Sequence, residues 1–194
     1  MDKKTSLSEL VELLAERDWA RVAQAERALL LAGPEGQNAV LAGMTHANPR
    51  IRRACAGFMD HHGDDVCITP LLERLLHDPV PNVRREAVHL FSCDRCKNSP
   101  LGLDAVPVLL NVMASDPNKW VRYEAIAGLS QKPVDSRVID PMRALLRNET
   151  DRDIRRAAQI CLRHHDPTYR EECARNARVR QKSLAGEHSP RAEP

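Results

Sequence analysis

Aromatic residues and glycine are scarce in this 194-residue chain. Trp, Tyr and Phe each occur twice, 3% of the sequence in total, and glycine occurs eight times. Sandwiches and barrels are built from many strands with glycine-containing turns and aromatic or β-branched side chains, so these folds are disfavoured. Hydrophobic residues still make up 42% of the chain, which is enough for a packed core and argues against a wholly disordered protein. The abundance of Ala, Leu, Arg and Glu favours packed helices.

An excess of one charge and long apolar runs are also missing. The 29 basic and 27 acidic residues give a net charge of +2, so the charge of the whole molecule would not attract a polyanion. No apolar run approaches the roughly 20 residues that a membrane span requires. No apolar h-region follows Met1–Ser6. The sequence therefore predicts no signal peptide, no membrane partner and a cytoplasmic location.

Motifs of common catalytic and cofactor sites are absent as well. The chain has no G-x-S-x-G, no Walker loop and no dinucleotide fingerprint. Scattered acids and histidines on helices are more often surface groups than catalytic ones. We therefore predict a non-enzyme without cofactor or metal, for which a small-molecule ligand is not expected.

The six cysteines do not indicate a disulfide framework, which is typical of small secreted domains. Cys55 and Cys161 fall on predicted buried helix positions, where cysteine behaves as a small hydrophobe. We predict that all six are free thiols.

Cys93 and Cys96 form a single C-x-x-C pair. A zinc site normally needs a second such pair at defined spacing, and a thioredoxin-like role needs a βαβ context that this chain lacks. Cys67, His61 or His62 could complete a metal site only where the loops converge. Whether Cys93 and Cys96 bind metal or are redox active stays open.

A repeated pattern is the strongest positive signal in the sequence. A β-branched residue, an arginine, two variable positions and a small residue follow one another from Ile51, Val83, Val121 and Ile154. The spacings of 32, 38 and 33 residues lie in the period range of helical-repeat proteins. The pattern predicts pairs of helices, the second of each pair starting with these residues.

Helix start and stop signals divide the chain into five pairs. A capping box, Ser6-Leu7-Ser8-Glu9, begins the first helix, and Gly33-Pro34 ends the first pair. The other predicted helices cover 35–45 and 49–59, 70–77 and 82–92, 105–114 and 119–130, and 138–147 and 152–164.

The recurring Asp-Pro-x-x-x-Val-Arg-x-x-Ala pattern resembles the HEAT repeat, in particular the subtype called phycobilisome-lyase-like HEAT repeats. Asp78–Ala87 and Asp116–Ala125 carry it in full. The resemblance implies an all-α fold, a right-handed α-solenoid (α-α superhelix) of about five HEAT-like helix pairs, in which each pair buries its apolar face against its neighbours. The name of the subtype suggests chromophore attachment, but nothing in the sequence marks a bilin site.

The domain organisation follows from these pairs. We predict a single HEAT-like repeat domain over 1–182, with 1–33 as a divergent N-terminal cap pair and 166–182 as a C-terminal capping helix. Residues 183–194 are predicted to be a disordered tail.

Two faces of each second helix have different predicted roles. Counting from the β-branched residue, positions one, five, eight and nine form the core face, with small residues at five and eight so that neighbouring helices approach closely. In two repeats these are Val83, Ala87, Leu90 and Phe91, and Val121, Ala125, Gly128 and Leu129. Position three, with positions seven and ten, lies on a second face that points away from the core.

An arginine at position two recurs in all four repeats, and an acid stands five residues before position one in three of them. The resemblance implies a structural ladder in which these arginines bind acids and loop carbonyls of adjacent repeats. His46 takes the acid's place in the second pair, where we expect the ladder to weaken. The ladder residues are Arg52, Arg84, Arg122, Arg155, Asp78, Asp116 and Glu149.

The second face is the candidate partner-binding site. In HEAT-like arrays the second helices line the concave side, where partners usually bind, and the resemblance implies a non-catalytic protein-interaction scaffold or accessory subunit. The alternative is binding of duplex DNA by a basic concave stripe, and the third interpretation is a solvated face balanced by acids such as Glu86 and Glu124. The candidate residues are Arg53, Arg85, His89, Tyr123, Arg156 and Arg163.

Overall fold

The computed structural model describes residues 5–65, 68–69, 72, 76–97 and 102–187. Within these ranges every regular element is helical and there is no strand. Ten α-helices and one short 3-10 helix have defined bounds, and residues 65, 68–69, 72 and 76 are helical as well. The predicted all-α class is confirmed. None of the helices in the described ranges combines the length and the apolarity needed to cross a lipid bilayer.

The chain forms two compact units, Met1–Gln131 and Lys132–Pro194. The first contains α1 (Leu7–Leu13), α2 (Trp19–Leu31), α3 (Pro34–Gly43), α4 (Pro49–His62), α5 (Pro81–Ser92), α6 (Val106–Ser115) and α7 (Lys119–Leu129). The second contains the 3-10 helix Ser136–Val138, α8 (Ile139–Asn148), α9 (Arg152–His165) and α10 (Pro167–Glu187). The predicted extent of the repeat domain stays a prediction.

Local capping explains where the first helices begin and end. The Glu9 N–H donates to Ser6 Oγ at 3.2 Å and the Ser6 N–H donates to Glu9 Oε2 at 2.7 Å, which is the predicted capping box. Gly33 separates α2 from α3 with a φ of 59°, a left-handed conformation that glycine adopts without steric cost. Pro34 then starts α3, where its missing N–H leaves no hydrogen bond unmade.

Burial of the small residues at position five shows how successive pairs stack. The second helices α4, α5 and α7 pack one on the next, and α6 packs against α5 and α7. The position-five residues of α4, α5, α7 and α9 are fully buried: Cys55, Ala87, Ala125 and Ala158. Neighbouring helices therefore complete one another's core, as the repeat pattern predicts.

Gly128 marks a close approach of α5 and α7. A Cβ atom at this position would lie 2.2 Å from the Cβ of Ser92, well inside contact distance. A small residue is therefore needed at position eight of α7, because the Ser92 side chain of α5 occupies the space that a larger residue would fill.

Two helices continue at least three residues beyond their predicted ends. α4 continues from the predicted end at Met59 to His62, since no helix-breaking residue occurs before Gly63. α10 continues to Glu187, so residues 183–187, predicted to belong to the tail, are helical; no proline interrupts them. Residues 188–194 lie outside the described ranges, as does most of the predicted helix 70–77, of which Leu72 is buried.

Candidate partner-binding surface

Arg52 and Arg84 each form a two-pronged ion pair with the acid of the next helix pair. Arg52 Nε and Nη2 donate to Asp78 Oδ2 and Oδ1 at 2.6 and 2.9 Å, and Arg84 makes the same contacts with Asp116 at 2.7 and 2.9 Å. All four side chains are at most 12% exposed. We call this row the inner ladder; it joins α4 to the loop before α5 and α5 to the loop before α7.

The arginines also bind the loop that precedes their own helix. In each of the four repeats the Nη1 group donates to the carbonyl oxygen six residues earlier. These acceptors belong to His46, Asp78, Asp116 and Glu149, at 2.8, 2.6, 3.1 and 2.8 Å. A single guanidinium therefore fixes a loop and, in the inner ladder, the following helix pair as well.

The acids before each second helix close a turn in addition. Oxygens of Asp78, Asp116 and Glu149 accept hydrogen bonds from the N–H two residues later, at 2.8, 2.8 and 2.9 Å. His46 Nδ1 accepts the equivalent bond from the Asn48 N–H at 2.9 Å. The weakening expected at His46 does not reach Arg52, because the carboxylate partner of Arg52 is Asp78 in the following pair.

The inner ladder shifts the pKa values of Asp78, Arg52 and Arg84. Burial alone would raise the pKa of Asp78, but hydrogen bonds from Arg52 and the Val80 N–H, with the charges of Arg52 and Arg84, hold it below its ordinary value. The pKa values of both arginines are raised, chiefly by the hydrogen bonds to their carboxylate partners. The charged forms of Asp78, Arg52 and Arg84 are therefore favoured.

A second row of ion pairs runs along the second face of these helices, the one that points away from the core, and we call it the outer ladder. Arg53 Nε lies 2.9 Å from Glu86 Oε2, and Arg85 Nε lies 3.4 Å from Glu124 Oε2. The arginine side chains are 56% and 51% exposed, so each pair stabilises the fold by less than about 1 kcal/mol. The sequence signal for these pairs is an acid at position four of the next repeat. From the sequence alone, these acids were interpreted only as balancing the positive charge of the face.

Three of the six candidate binding residues meet in one groove across α4, α5 and α7. Arg53, Arg85 and His89 line it, and its volume is about 490 Å³. The remaining lining residues are polar: Asp60, His61, Asn82, Glu86 and Glu124. Arg156 and Arg163 are exposed on α9, in the second unit.

Tyr123, a further candidate, belongs to an exposed aromatic pair on α7. Its ring centroid lies 6.0 Å from that of Trp120, and the two side chains are 37% and 48% exposed. Lys119 Nζ lies 4.6 Å from the centre of the Trp120 ring. Trp120 was not among the predicted residues, although its spacing of three from Tyr123 places the two on one helical face.

The Cys93-x-x-Cys96 turn lies beside this groove. The two sulfur atoms are 3.0 Å apart. Lys97 Nζ donates to the Cys93 carbonyl at 2.5 Å and to Asp60 Oδ1 at 3.0 Å, and the side chains of Lys97 and Asp60 are both 4% exposed. A buried ion pair thus fastens the turn to α4.

Two histidines also contact this cluster. His89 Nδ1 lies 3.2 Å from Asp60 Oδ2, whereas His61 Nδ1 lies 2.9 Å from the Cys96 carbonyl oxygen. Sequence reasoning considered His61 as a partner of the cysteines but missed His89, Asp60 and Lys97; the spacing of four between His89 and Cys93 was the available signal. Cys67 lies outside the described residues.

The two thiols differ in acidity. The hydrogen bond between them is the largest cause for both: it lowers the pKa of Cys93 and raises the pKa of Cys96 to about 11. Cys93 is therefore the group that ionises first.

Comparison with known proteins identifies the repeat. Residues 68–163, just under half of the chain, match the family model described as HEAT repeats. A chain in the complex of CpcE and CpcF of phycocyanin lyase from Nostoc sp. PCC7120 superimposes with a TM-score of 0.60 at 19% identity, over 80% of this chain and 96% of that one. The predicted repeat solenoid is thereby confirmed.

Two designed proteins are more distant structural matches. An engineered protein has a TM-score of 0.49 at 21% identity, over 83% of this chain and 79% of that one. A designed armadillo repeat protein in complex with the peptide (KR)4 has a TM-score of 0.47 at 15% identity, over 96% and 94%. Among curated proteins, none matches this chain in sequence.

Proposed function

The chain is a HEAT-repeat protein, and on that premise we propose that it is a non-catalytic scaffold or accessory subunit that binds a protein partner along the α4–α5–α7 groove. The observation that carries the proposal is the outer ladder. Arg53 and Arg85 are half exposed and aligned one repeat apart, each held in place by a glutamate of the next repeat.

The chemistry of the groove favours a partner with acidic side chains. Exposed pairs such as Arg53 with Glu86 are weak, so a partner carboxylate can compete with the glutamate for the guanidinium. The Trp120–Tyr123 pair adds aromatic surface, which is enriched at protein interfaces and depleted from ordinary exposed surface. That these second helices form the concave side of the solenoid stays a prediction.

CpcE and CpcF form a complex with each other in the Nostoc structure. The likeness at 19% identity concerns the fold, so we do not transfer the lyase activity to this chain. What we propose from it is narrower: a protein partner, bound by a repeat surface of the same architecture.

The first test is an affinity pull-down from the native cell, with and without nuclease. Protein that is recovered after nuclease treatment supports the scaffold proposal. Loss of all bound material after the treatment supports the alternative, duplex DNA, and contradicts a direct protein partner.

The second test uses two double variants that break the same ion pairs from opposite sides. Arg53→Gln with Arg85→Gln removes the cations, whereas Glu86→Gln with Glu124→Gln exposes them. For an acidic partner we expect the arginine variant to weaken binding about tenfold, or about 1.4 kcal/mol, and the glutamate variant to preserve or strengthen it. Equal losses in both variants would attribute the effect to the fold, and unchanged affinity in both would place the site elsewhere.

Two further measurements separate the alternatives. Charge reversal of Arg53, Arg85 and Arg156 together should weaken partner binding while far-UV circular dichroism shows unchanged helicity. If the protein binds duplex DNA instead, the glutamate variant should bind random duplex with an affinity that falls steeply with added salt.

A further inference from the structure

We propose that His89, Cys93 and Cys96 bind one Zn²⁺ ion, with a fourth coordination position left to solvent. One ring nitrogen of His89 and the two sulfur atoms all lie within 4.8 Å of one another. Within the described residues this group has three members, which is the number of protein ligands typical of zinc sites with an open position. The site shares His89 with the wall of the partner-binding groove, but metal binding does not depend on the proposed partner-binding role.

Local structure brings the three ligands together. His89 and Cys93 are four residues apart at the C-terminal end of α5, so they share one side of the helix. The turn after α5 then folds Cys96 back towards Cys93. Lys97 fixes this turn through the Cys93 carbonyl oxygen, which leaves both sulfur atoms free to act as ligands.

Asp60 contacts the histidine and orients its ring, as carboxylates beside metal-binding histidines do in zinc sites. Its Oδ2 lies 3.2 Å from His89 Nδ1, so when Nε2 binds the metal, Nδ1 can donate its proton to Asp60. Asp60 is only 3% exposed, and its other oxygen is paired with Lys97. A buried carboxylate that is held by a lysine and directed at a histidine fixes both the tautomer and the orientation of the ring.

The donor set and the dimensions fit zinc. One imidazole and two thiolates suit Zn²⁺ and do not suit Mg²⁺ or Ca²⁺, which take oxygen ligands. With Zn–S distances of about 2.3 Å, tetrahedral geometry sets the sulfur atoms about 3.8 Å apart. Binding therefore requires the two sulfur atoms to move apart from their present separation of 3.0 Å.

Metal binding is coupled to pH. Both cysteines bind as thiolates, so each Zn²⁺ that binds displaces into solvent the protons that the two thiols still carry. The affinity should consequently fall as the pH is lowered, and the released protons can be measured in a weakly buffered titration.

The test uses the full chain, untagged and reduced. We expect one Zn²⁺ per chain by elemental analysis, and, with Co²⁺ as the probe, the near-ultraviolet charge-transfer absorption of thiolate ligands. Cys96→Ser and His89→Gln should lower the affinity at least about tenfold in a chelator competition, and Asp60→Asn about 10–100-fold. The matched control is Cys173→Ser, a partly exposed cysteine of the second unit, which should bind like the parent protein.

Two results would overturn the proposal. One is a reduced parent protein that binds neither Zn²⁺ nor Co²⁺ stoichiometrically. The other is Cys96→Ser with the affinity of Cys173→Ser. Far-UV circular dichroism of each variant shows whether a lost site reflects lost ligands or lost fold, and Cys96→Ser is the least disruptive because Cys96 is partly exposed. A Cys93–Cys96 disulfide that forms readily while metal binding is absent would assign the pair to redox chemistry instead.

Discussion

Replacing Asp78 with asparagine tests whether the inner ladder holds adjacent helix pairs together. Asp78 binds Arg52 through both carboxylate oxygens, and its side chain is 6% exposed. Its Oδ1 also accepts the Val80 N–H. Asparagine keeps a carbonyl oxygen for that turn but removes the charge, so Arg52 is left largely buried without its counterion.

The expected magnitude follows from this burial. Removing one partner of a buried ion pair costs about 3–5 kcal/mol. Because the turn hydrogen bond survives, we expect a loss near the lower limit, about 3 kcal/mol. For a chain of this length that corresponds to a midpoint of thermal unfolding about 6–12 °C lower.

Urea unfolding followed by far-UV circular dichroism measures the effect, and Glu86→Gln is the matched control. Both substitutions convert the acid of an inter-repeat arginine pair to its amide. The Arg53–Glu86 pair is exposed, so its loss should cost less than about 1 kcal/mol.

The pH dependence gives a second readout. The folded-state pKa of Asp78 is lowered, so its contribution to stability is complete above the ordinary pKa of about 3.9 and is lost as the pH falls through the lowered value. The stability difference between the parent and Asp78→Asn should therefore be constant from about pH 5 to 7 and shrink in more acidic solution. The reasoning is refuted if Asp78→Asn costs no more than Glu86→Gln, or if the difference does not change with acid.

Two further predictions concern packing and thiol reactivity. Gly128→Ala should destabilise the protein by about 1–3 kcal/mol in urea unfolding because the new methyl group meets Ser92. Gly57→Ala is the control and should be neutral or stabilising, since its Cβ would have only an ordinary 3.7 Å contact. Equal effects at both sites would contradict the close approach at Gly128. Burial raises the pKa of Cys55 to about 12. Mass spectrometry should therefore find Cys55 unmodified by iodoacetamide at pH 8, while the partly exposed Cys173 reacts. Fast modification of Cys55 in the native protein would contradict its burial.

The repeat pattern was sufficient to predict the helices and the core, since both depend on local spacing. A buried residue at position five, such as Ala87, recurs in every repeat because each helix pair packs against an equivalent neighbouring pair. Helix ends were predicted less well: α4 continues to His62 because residues 60–62 are compatible with a helix, and only Gly63 ends it.

The candidate surface was predicted in part. Counting positions placed Arg53, Arg85 and His89 on one face, and they do line one groove. The glutamate partners of the arginines come from the next repeat, and their distances depend on how two helices are staggered, which a single sequence does not specify. The cluster around Cys93 was missed for the same reason, because Asp60 lies on α4 and reaches the turn only through packing.

The inner ladder has a direction, since each arginine takes its carboxylate from the following pair and its loop carbonyl from its own. Asp78 serves both neighbours at once: its carboxylate binds Arg52 and its carbonyl oxygen binds Arg84. Excision of residues 79–116, one whole period, would join Asp78 to Pro117 and put its carbonyl six residues before Arg122, where the Asp116 carbonyl now lies. Gain or loss of whole periods by recombination therefore leaves each of these guanidinium groups with its hydrogen-bond partners. A change by part of a period would remove the partner of one guanidinium group. The hydrogen-bonding pattern thus favours evolution of the array by complete repeats.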